Sequence, residues 1–259
     1  MGSTMSTFSN IFITGASSGI GQGLAQNYAQ ADVTLYLTGR DTDRLSQVAE
    51  ACRHKGATVI EKVLDVCDVE QTEQFILEAD QQTPLDLVIA NAGVSASTGA
   101  DEETAAHMRE NFAVNVDGVL NTVLPIIEPM KLRGKGQIGV VSSVMGFRGL
   151  PNGASYSGSK AAVRVWGEGL RGSISQYGVG VSVIIPAMVK SRMTDALDFN
   201  KGAMSPDLSA QIIMKGLSKN KPRIGYSKGM YFMFWLLGCL PSFITDKVFH
   251  SRKKIGQNK

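Results

Sequence analysis

A short apolar run that ends in a glycine-rich turn is the feature that most restricts the fold of this chain. The run covers residues 10–14, the turn reads Gly15-Ala-Ser-Ser-Gly19-Ile-Gly21, and a helical pattern follows to about residue 30. This order is typical of a dinucleotide-binding unit, because glycines let the backbone approach a pyrophosphate at a helix N-terminus. The spacing is G-x-x-x-G-x-G rather than the commoner G-x-G-x-x-G, so a tight turn without a ligand is the alternative.

Strand and helix patterns alternate along most of the chain. Further strands are predicted at 33–38, 58–64, 85–90, 137–141, 181–185 and 223–226, and helices at 42–55, 69–82, 102–130, 156–177 and 206–219. Short connections between alternating elements predict a parallel sheet covered by helices on both faces. We therefore predict a Rossmann-like, doubly wound α/β fold. One catalytic domain covers residues 8–227, and an apolar extension covers 228–259.

Polar side chains follow the ends of the predicted strands. Arg40 follows the second strand, Asp65 the third and Asn91 the fourth. Ligands of parallel α/β sheets bind outside the carboxyl ends of the strands, where these residues lie. Arg40 stands 19 residues after Gly21, where an arginine accommodates a 2′-phosphate, and this predicts NADP rather than NAD. Because Asp41 follows directly, an exposed Arg–Asp turn is the alternative.

Tyr156 and Lys160 stand four residues apart at a predicted helix start, and this spacing places them on one helix face. A free tyrosine has a pKa of about 10, too high for easy proton exchange at neutral pH. An ammonium one turn away favours the phenolate, so we expect Lys160 to lower the pKa of Tyr156. The pair predicts a proton-transfer site, and a solvated helix face is the alternative.

Taken together, these residues resemble the short-chain dehydrogenase/reductase family over about residues 10–226. The motifs in the family's order and spacing are Thr14-Gly15-x-x-x-Gly19-Ile20-Gly21, Asn91-Ala92-Gly93, Ser143 and Tyr156-x-x-x-Lys160. Ser143, rather than Ser142, has the family's separation of 13 residues from Tyr156.

The resemblance assigns a role to each candidate catalytic residue. Tyr156 would be the proton donor in carbonyl reduction, or the base in alcohol oxidation. Lys160 would lower its pKa and hold the nicotinamide ribose. Ser143 would bind the substrate oxygen and stabilise its developing negative charge, and Asn115 would anchor a water of the proton relay.

The resemblance also implies a nicotinamide cofactor and the residues that bind it. These are Gly15, Ser17, Ser18, Gly19, Ile20, Gly21, Arg40, Asp65, Val66, Asn91, Ala92, Gly93, Tyr156, Lys160, Pro186, Val189 and Ser191. Asp65 and Val66 would contact the adenine, Asn91 the ribose, and the last three residues the nicotinamide end. Ser18 replaces a basic residue found in many NADP-specific members, which leaves Arg40 to bind the 2′-phosphate.

Two further segments concern the substrate and the assembly. Residues 191–205 are polar and follow a strand end, which predicts a loop that acts as a lid over the site. The predicted helix 156–177 carries Gly158, Gly167, Gly169 and Gly172. Such glycines indicate close approach of another backbone, either the sheet or a partner helix. We expect a subunit interface on this helix and a homodimer or homotetramer.

The family does not explain the apolar segment 230–240, in which ten of eleven residues are apolar or aromatic. A helix of this length, at about 1.5 Å per residue, is shorter than a hydrocarbon core of about 30 Å. Three alternatives are open: packing over the substrate pocket or a partner subunit, contact with a membrane surface through 230–259, or a membrane-spanning segment. The first two indicate an apolar or lipid-like substrate.

Charge and cysteine content exclude several classes of protein. From Lys247 onward there are five basic residues and no acidic ones, and the other 21 basic and 23 acidic residues give the body a net charge of −2. A nucleic-acid-binding body is therefore not expected. Three cysteines and three histidines are dispersed, which predicts neither a disulfide framework nor a metal site. The polar start shows no secretory signal, so we expect a cytoplasmic protein.

The sequence predicts an oxidoreductase that transfers a hydride between NADP(H) and a small carbonyl or alcohol substrate, with NAD(H) as the second choice of cofactor. One alternative is a non-catalytic NADP-binding regulator or scaffold, against which the intact Ser143, Tyr156 and Lys160 argue. Another is a sugar epimerase or dehydratase on a related fold. Those proteins usually have longer chains and a G-x-x-G-x-x-G turn, which this sequence lacks.

Overall fold

Seven parallel strands form one sheet in the computed structural model, which describes residues 8–95, 103–151, 153–196 and 202–247. The strands are β1 (Asn10–Ile13), β2 (Thr34–Gly39), β3 (Thr58–Val63), β4 (Leu87–Ala90), β5 (Gly136–Val141), β6 (Val179–Ile185) and β7 (Arg223–Gly225). Their order is β3-β2-β1-β4-β5-β6-β7, with every neighbouring pair parallel. The strand order reverses between β1 and β4, which creates a ligand-binding crevice at the strand ends. The predicted doubly wound fold is confirmed.

Helices cover both faces of this sheet. They are α1 (Gly19–Tyr28), α2 (Thr42–Arg53), α3 (Val69–Gln82), α4 (Ala105–Phe112), α5 (Gly118–Arg133), α6 (Ala154–Ile174), α7 (Arg192–Ala196), α8 (Pro206–Leu217) and α9 (Lys228–Cys239). One apolar core joins the sheet to α1, α2 and α8 through side chains such as Leu24 and Ile213. A second core joins the other face to α3, α5 and α6 through Phe75 and Val163. Both faces of the sheet are thus buried, and every residue of β6 is buried, including Gly180 and Ser182.

The predicted helix 102–130 is divided in the structure, and residue 102 lies outside the described ranges. α4 ends at Phe112, a π-helical turn covers Ala113–Asp117, and α5 continues to Arg133. The turn carries Asn115, whose side-chain amide pairs with both the N–H and the carbonyl of Val94. This long-range pairing holds the wider turn, a feature often found at functional sites.

The prediction of an irregular loop over 191–205 was wrong for its first part, which forms α7. Ser191 begins this helix by accepting a hydrogen bond from the Thr194 N–H (3.4 Å), as an N-cap residue does. The segment returns to the end of β6, where Lys190 N–H donates to the Met204 carbonyl (2.9 Å). Residues 197–201 lie outside the described ranges. The role of a lid stays a prediction.

The apolar segment 230–240 lies in α9, and a second helical stretch covers residues 242–247. Tyr231 on α9 packs edge-to-face on Phe147, with ring centroids 5.3 Å apart. A Cβ on Gly238 would lie only 2.5 Å from the Phe147 carbonyl oxygen, so the backbones approach closely there. α9 therefore packs on the segment that follows Ser143. Among the described residues, no helix combines the length and apolar character needed to cross a bilayer.

Candidate active site

The glycine turn between β1 and α1 is held against the end of β4. Gly15 has a φ of +64°, and a Cβ there would lie 2.8 Å from Ala92 Cα. Asn91 donates from Nδ2 to the carbonyls of Thr14 (2.8 Å) and Gly15 (3.1 Å). Thr14 Oγ1 in turn accepts from the N–H groups of Asn91 and Ala92. The Asn91 side chain thus has a structural role, and its predicted contact with a ribose stays a prediction.

The start of α1 has the properties of a phosphate site. Ser18 is its N-cap residue but makes no capping hydrogen bond through its side chain, and the first turn carries no acidic residue. The N–H groups of such an uncapped turn attract anions. A Cβ on Gly21 would come 2.3 Å from the Gly15 carbonyl oxygen, so only glycine allows this tight turn. The turn and helix therefore fit a dinucleotide diphosphate.

The neighbouring residues enclose this turn. Ser17 packs against Gly39 at the end of β2, where a Cβ would lie 3.1 Å from Ser17 Oγ. Ile20 packs against the first apolar core. A Cβ on Gly19 would lie 3.0 Å from Ser191 Cβ. The segment after β6 therefore lies directly against the glycine turn.

Arg40 and Asp65 line a cavity of about 350 Å³ beside the ends of β2 and β3. The guanidinium Nη1 of Arg40 lies 3.8 Å from Asp65 Oδ2, and both side chains are about half exposed. Exposed ion pairs contribute little to stability, so Arg40 can contact a phosphate without a large loss. Asp41 instead caps α2 and pairs with Arg44 (2.6 Å), which argues against an Arg40–Asp41 surface turn.

Val66, predicted to contact an adenine, is held by α5. Asn121 Nδ2 donates to the Val66 carbonyl (2.9 Å). A Cβ on Gly118 would lie 2.5 Å from a Val66 methyl group. Asp65 Oδ1 accepts from the Cys67 N–H (3.0 Å), which fixes the orientation of its carboxylate. These contacts set the shape of one wall of the crevice, and the adenine contact stays a prediction.

Ser143 and Tyr156 are brought together at the end of β5. The Ser143 hydroxyl lies close enough to the Tyr156 phenol to lower its pKa, and it accepts from the Met145 N–H (3.2 Å). Ser142 Oγ instead donates to the Lys160 carbonyl (2.7 Å). Of the two serines, Ser143 is therefore the one that contacts Tyr156.

Lys160 and Asn115 lie around Gly93. Lys160 Nζ donates to the Val141 carbonyl (3.1 Å) and lies 5.9 Å from the centroid of the Tyr156 ring. A Cβ on Gly93 would lie 3.0 Å from Asn115 Oδ1 and 3.1 Å from Lys160 Nζ. An ammonium has three N–H donors, so Lys160 retains donors for a ligand as far as the described residues show. This donor set fits the hydroxyl groups of a ribose.

Burial raises the pKa of Tyr156 above its ordinary value, and the hydrogen bond from Ser143 offsets this only in part. Burial also lowers the pKa of Lys160 to about 8. The expectation that Lys160 lowers the pKa of Tyr156 was wrong for this structure, because desolvation of the phenol raises that pKa and Lys160 is not among the groups that shift it. At neutral pH the phenol is protonated, which is the form needed in an acid.

Glu103, Asn111 and Ser155 hold the first turn of α6 and were missed from the sequence. Glu103 accepts from the N–H (3.1 Å) and the hydroxyl (2.5 Å) of Ser155, and Asn111 Nδ2 donates to the same hydroxyl (2.7 Å). The N-cap residue, Gly153, has no side chain for this purpose. The partner stands 52 residues upstream of Ser155, so no local pattern reveals it. Because Tyr156 follows Ser155 directly, these bonds fix the backbone from which the phenol projects.

The residues predicted at the nicotinamide end flank the same crevice. The Pro186 carbonyl accepts from the Val144 N–H (3.0 Å), which joins the end of β6 to the segment after Ser143. Val189 is buried and pairs with Met204. The Ser191 N–H donates to Thr194 Oγ1 (2.8 Å). Their contact with a nicotinamide stays a prediction.

Comparisons with known proteins agree with this geometry. The family model described as short chain dehydrogenase matches residues 9–201. An uncharacterised oxidoreductase from Myxococcus xanthus is 33% identical over 222 residues, which cover 85% of this chain and 88% of the relative.

Two solved structures share the fold. A short chain dehydrogenase/reductase from Burkholderia phymatum in complex with NAD has a TM-score of 0.82 and 24% identity, over 90% of this chain and 93% of that one. A short-chain dehydrogenase from Sphingobium yanoikuyae in complex with NADPH has a TM-score of 0.77 and 22% identity, over 97% of this chain and 96% of that one.

Proposed function

The chain belongs to the short-chain dehydrogenase/reductase family and is thus a nicotinamide-dependent oxidoreductase, and we propose that it is an NADP(H)-dependent carbonyl reductase for apolar or lipid-like substrates. The observation that carries this proposal is the half-buried Tyr156 phenol, which lies against Ser143 and whose pKa desolvation raises, so that it is protonated at neutral pH. A protonated phenol can serve as the proton donor that carbonyl reduction requires.

The side chains around Tyr156 supply what a carbonyl oxygen needs during reduction. When bound, the cofactor supplies the hydride. Ser143 donates a hydrogen bond to the substrate oxygen and stabilises its developing negative charge, while Tyr156 transfers its proton to that oxygen. Lys160 binds the ribose hydroxyls with the donors not used by Val141. Asn115 holds the backbone of Val94 beside them, and its anchoring of a relay water is part of the proposal.

Arg40 is the residue that we propose to bind the 2′-phosphate of NADP. Arg40→Gln should raise the KM for NADPH roughly tenfold to a hundredfold, because a charge-assisted hydrogen bond contributes about 1.5–3 kcal/mol. The KM for NADH should change little. Steady-state kinetics with both cofactors measure this, and Arg44→Gln is the matched control because Arg44 pairs with Asp41 instead. Equal effects of Arg40→Gln on both cofactors would show that the cofactor preference is wrong.

An apolar wall next to Ser143 supports an apolar substrate. A third apolar core consists of Val144, Val183 and Ile185. The side chains that pack around it are Met145, Phe147, Met230, Tyr231 and Phe234. NADPH oxidation across a panel of ketones, aldehydes and 3-ketoacyl esters tests the substrate class. We expect kcat/KM to rise with the length of the apolar chain. Higher efficiency with short polar carbonyls would contradict a lipid-like substrate.

The outer side of α6 supports a homodimer or homotetramer. Gly167 is explained by the sheet, since a Cβ there would lie 3.0 Å from Val183. Gly169 and Gly172 face open space, and Val165 beside them is 58% exposed. A small-residue surface of this kind suits a partner helix. Light scattering at micromolar concentration should give the mass of an oligomer, and a monomer would contradict the proposal.

The proposed location is the cytoplasm, with contact between the C-terminal segment and a membrane surface. Cys52, Cys67 and Cys239 are free thiols, which suits a reducing compartment.

A further inference from the structure

We propose that the outer side of α9 and the stretch 242–247 form a docking surface for an anionic phospholipid bilayer, with a lipid phosphate bound in an arginine cleft beside it. This C-terminal surface consists of Phe232, Met233, Trp235, Leu236, Phe243 and Ile244. The biological use of this docking rests on the proposed function, since a lipid-like substrate would be met at a bilayer. The docking itself follows from packing and charge.

α9 is apolar on all sides, although only one side is covered. Its inner side packs through Met230, Tyr231 and Phe234 on the third apolar core. None of its residues is buried, and Phe232 on the outer side is 59% exposed. A helix that is apolar all round is normally buried, and a contiguous apolar patch on a protein surface marks an interaction site. The outer side of α9 therefore has the character of an interaction surface.

The stretch 242–247 extends this surface and is fixed to the body of the protein. Thr245 is fully buried, accepts from Arg148 Nη2 (2.6 Å) and donates to the Ser242 carbonyl (3.0 Å). Asp246 also lies 3.6 Å from the Arg148 guanidinium. With Thr245 turned inward, Phe243 is left 66% exposed. The exposed phenylalanine is thus held in place by its neighbours.

Charge decides between a bilayer and other occupants. The chain carries five basic residues and no acidic one from Lys247 to its last residue. A second copy on this surface would bring two such segments together, and their like charges would repel. The chain's own residues 248–259 contain only three large apolar side chains, against six in the C-terminal surface. An anionic bilayer attracts the basic residues and accepts the apolar ones.

The length of α9 and the position of Trp235 also fit a bilayer surface. At about 1.5 Å per residue, twelve residues reach far less than a hydrocarbon core of about 30 Å. Because its inner side is packed on the protein, α9 can meet a bilayer only along its outer side. Tryptophan is enriched at the membrane–water interface, and Trp235 packs on Phe232 with ring centroids 5.7 Å apart.

A cleft of about 200 Å³ beside Trp235 carries positive charge, which can bind the phosphate of a lipid headgroup. Its lining residues are Phe147, Arg164, Arg223, Trp235, Gly238 and Cys239. Arg164 and Arg223 share one carboxylate, that of Glu168, at 3.3 Å and 2.9 Å. Two guanidinium groups and one carboxylate leave a net charge of +1 in the cleft. Guanidinium groups bind phosphate oxygens well, which assigns the headgroup phosphate to this cleft.

Fluorescence of Trp235 tests the docking directly. Trp166→Phe leaves Trp235 as the single tryptophan of the full chain. Vesicles of phosphatidylcholine, alone or with roughly 30% phosphatidylglycerol to supply negative charge, are added without cofactor or substrate. We expect emission to shift to shorter wavelength with the anionic vesicles, and the shift to be reversed by about 0.5 M NaCl. An unchanged spectrum would overturn the proposal. Because no reaction is involved, this result is independent of whether the chain reduces carbonyls.

Co-sedimentation of variants with the same vesicles identifies the residues that bind the bilayer. Replacing both Phe232 and Phe243 with serine should weaken vesicle binding by about tenfold or more, and Arg223→Gln should remove much of the preference for anionic lipid. Leu132→Ser, at an 81% exposed position on α5, and Lys219→Gln are the controls and should bind normally. Equal losses in the controls would contradict the proposal. If the double serine variant changed the oligomeric state without vesicles, a second copy would be the occupant and the proposal would be wrong.

Discussion

Tyr156→Phe should lower kcat/KM for carbonyl reduction about a thousandfold, because general acid catalysis contributes between about a hundredfold and ten-thousandfold. The substitution removes the phenol hydroxyl and its proton but keeps the ring. The dissociation constant for NADPH should therefore change little. Steady-state kinetics and a fluorescence titration with NADPH separate the two effects.

Tyr177→Phe is the matched control, because Tyr177 is 45% exposed at the end of α6. We expect this variant to keep normal activity. Full activity in Tyr156→Phe would show that another group protonates the substrate. Loss of NADPH binding together with activity would indicate a structural role for the phenol rather than a role in proton transfer.

Lys160→Met should abolish most of the activity and yet stabilise the folded protein at neutral pH. Burial lowers the pKa of Lys160 from its ordinary value of 10.5 to about 8. At pH 7 the amine is protonated, and this difference in pKa means that its burial lowers the free energy of unfolding by about 3 kcal/mol. The lost hydrogen bond to Val141 offsets about 1 kcal/mol of the gain. Lys160→Met should therefore raise the free energy of unfolding at pH 7 by about 2 kcal/mol.

The contribution of Lys160 to the free energy of unfolding depends on pH with a defined sign. Between pH 8 and 10.5 the unfolded chain binds more protons at Lys160 than the folded chain, since the folded pKa is the lower one. The unfolding free energy of the unmodified protein should therefore rise with pH in that window, and the advantage of Lys160→Met should shrink. Urea unfolding at several pH values measures both quantities.

Lys219→Met is the control for this prediction, because Lys219 is exposed after α8. Its unfolding free energy should stay within about 0.5 kcal/mol of the unmodified protein at every pH. A lower stability of Lys160→Met at pH 7 would mean that the packing and hydrogen bond of the lysine outweigh the cost of its burial. The predicted balance of these effects would then be wrong.

The fold and the composition of the site could be predicted because they depend on local patterns. Apolar runs such as β4 form strands that are buried on both faces, and the glycine turn restricts its own backbone. Strand ends of a parallel sheet meet at one edge, so Arg40, Asp65 and Asn91 were expected to lie there. To predict that these three residues lie together, only the order of the strands and helices was needed.

What each side chain does was decided by tertiary structure. The sequence by itself determined the family, the alternating elements and the set of residues around Tyr156. It could not reveal that Asn91 holds the glycine turn or that Glu103 caps α6 from 52 residues away. Nor could it show that burial, rather than the charge of Lys160, controls the pKa of Tyr156. Hydrogen bonds between distant segments and the exclusion of water exist only once those segments have packed, so no local pattern contains them.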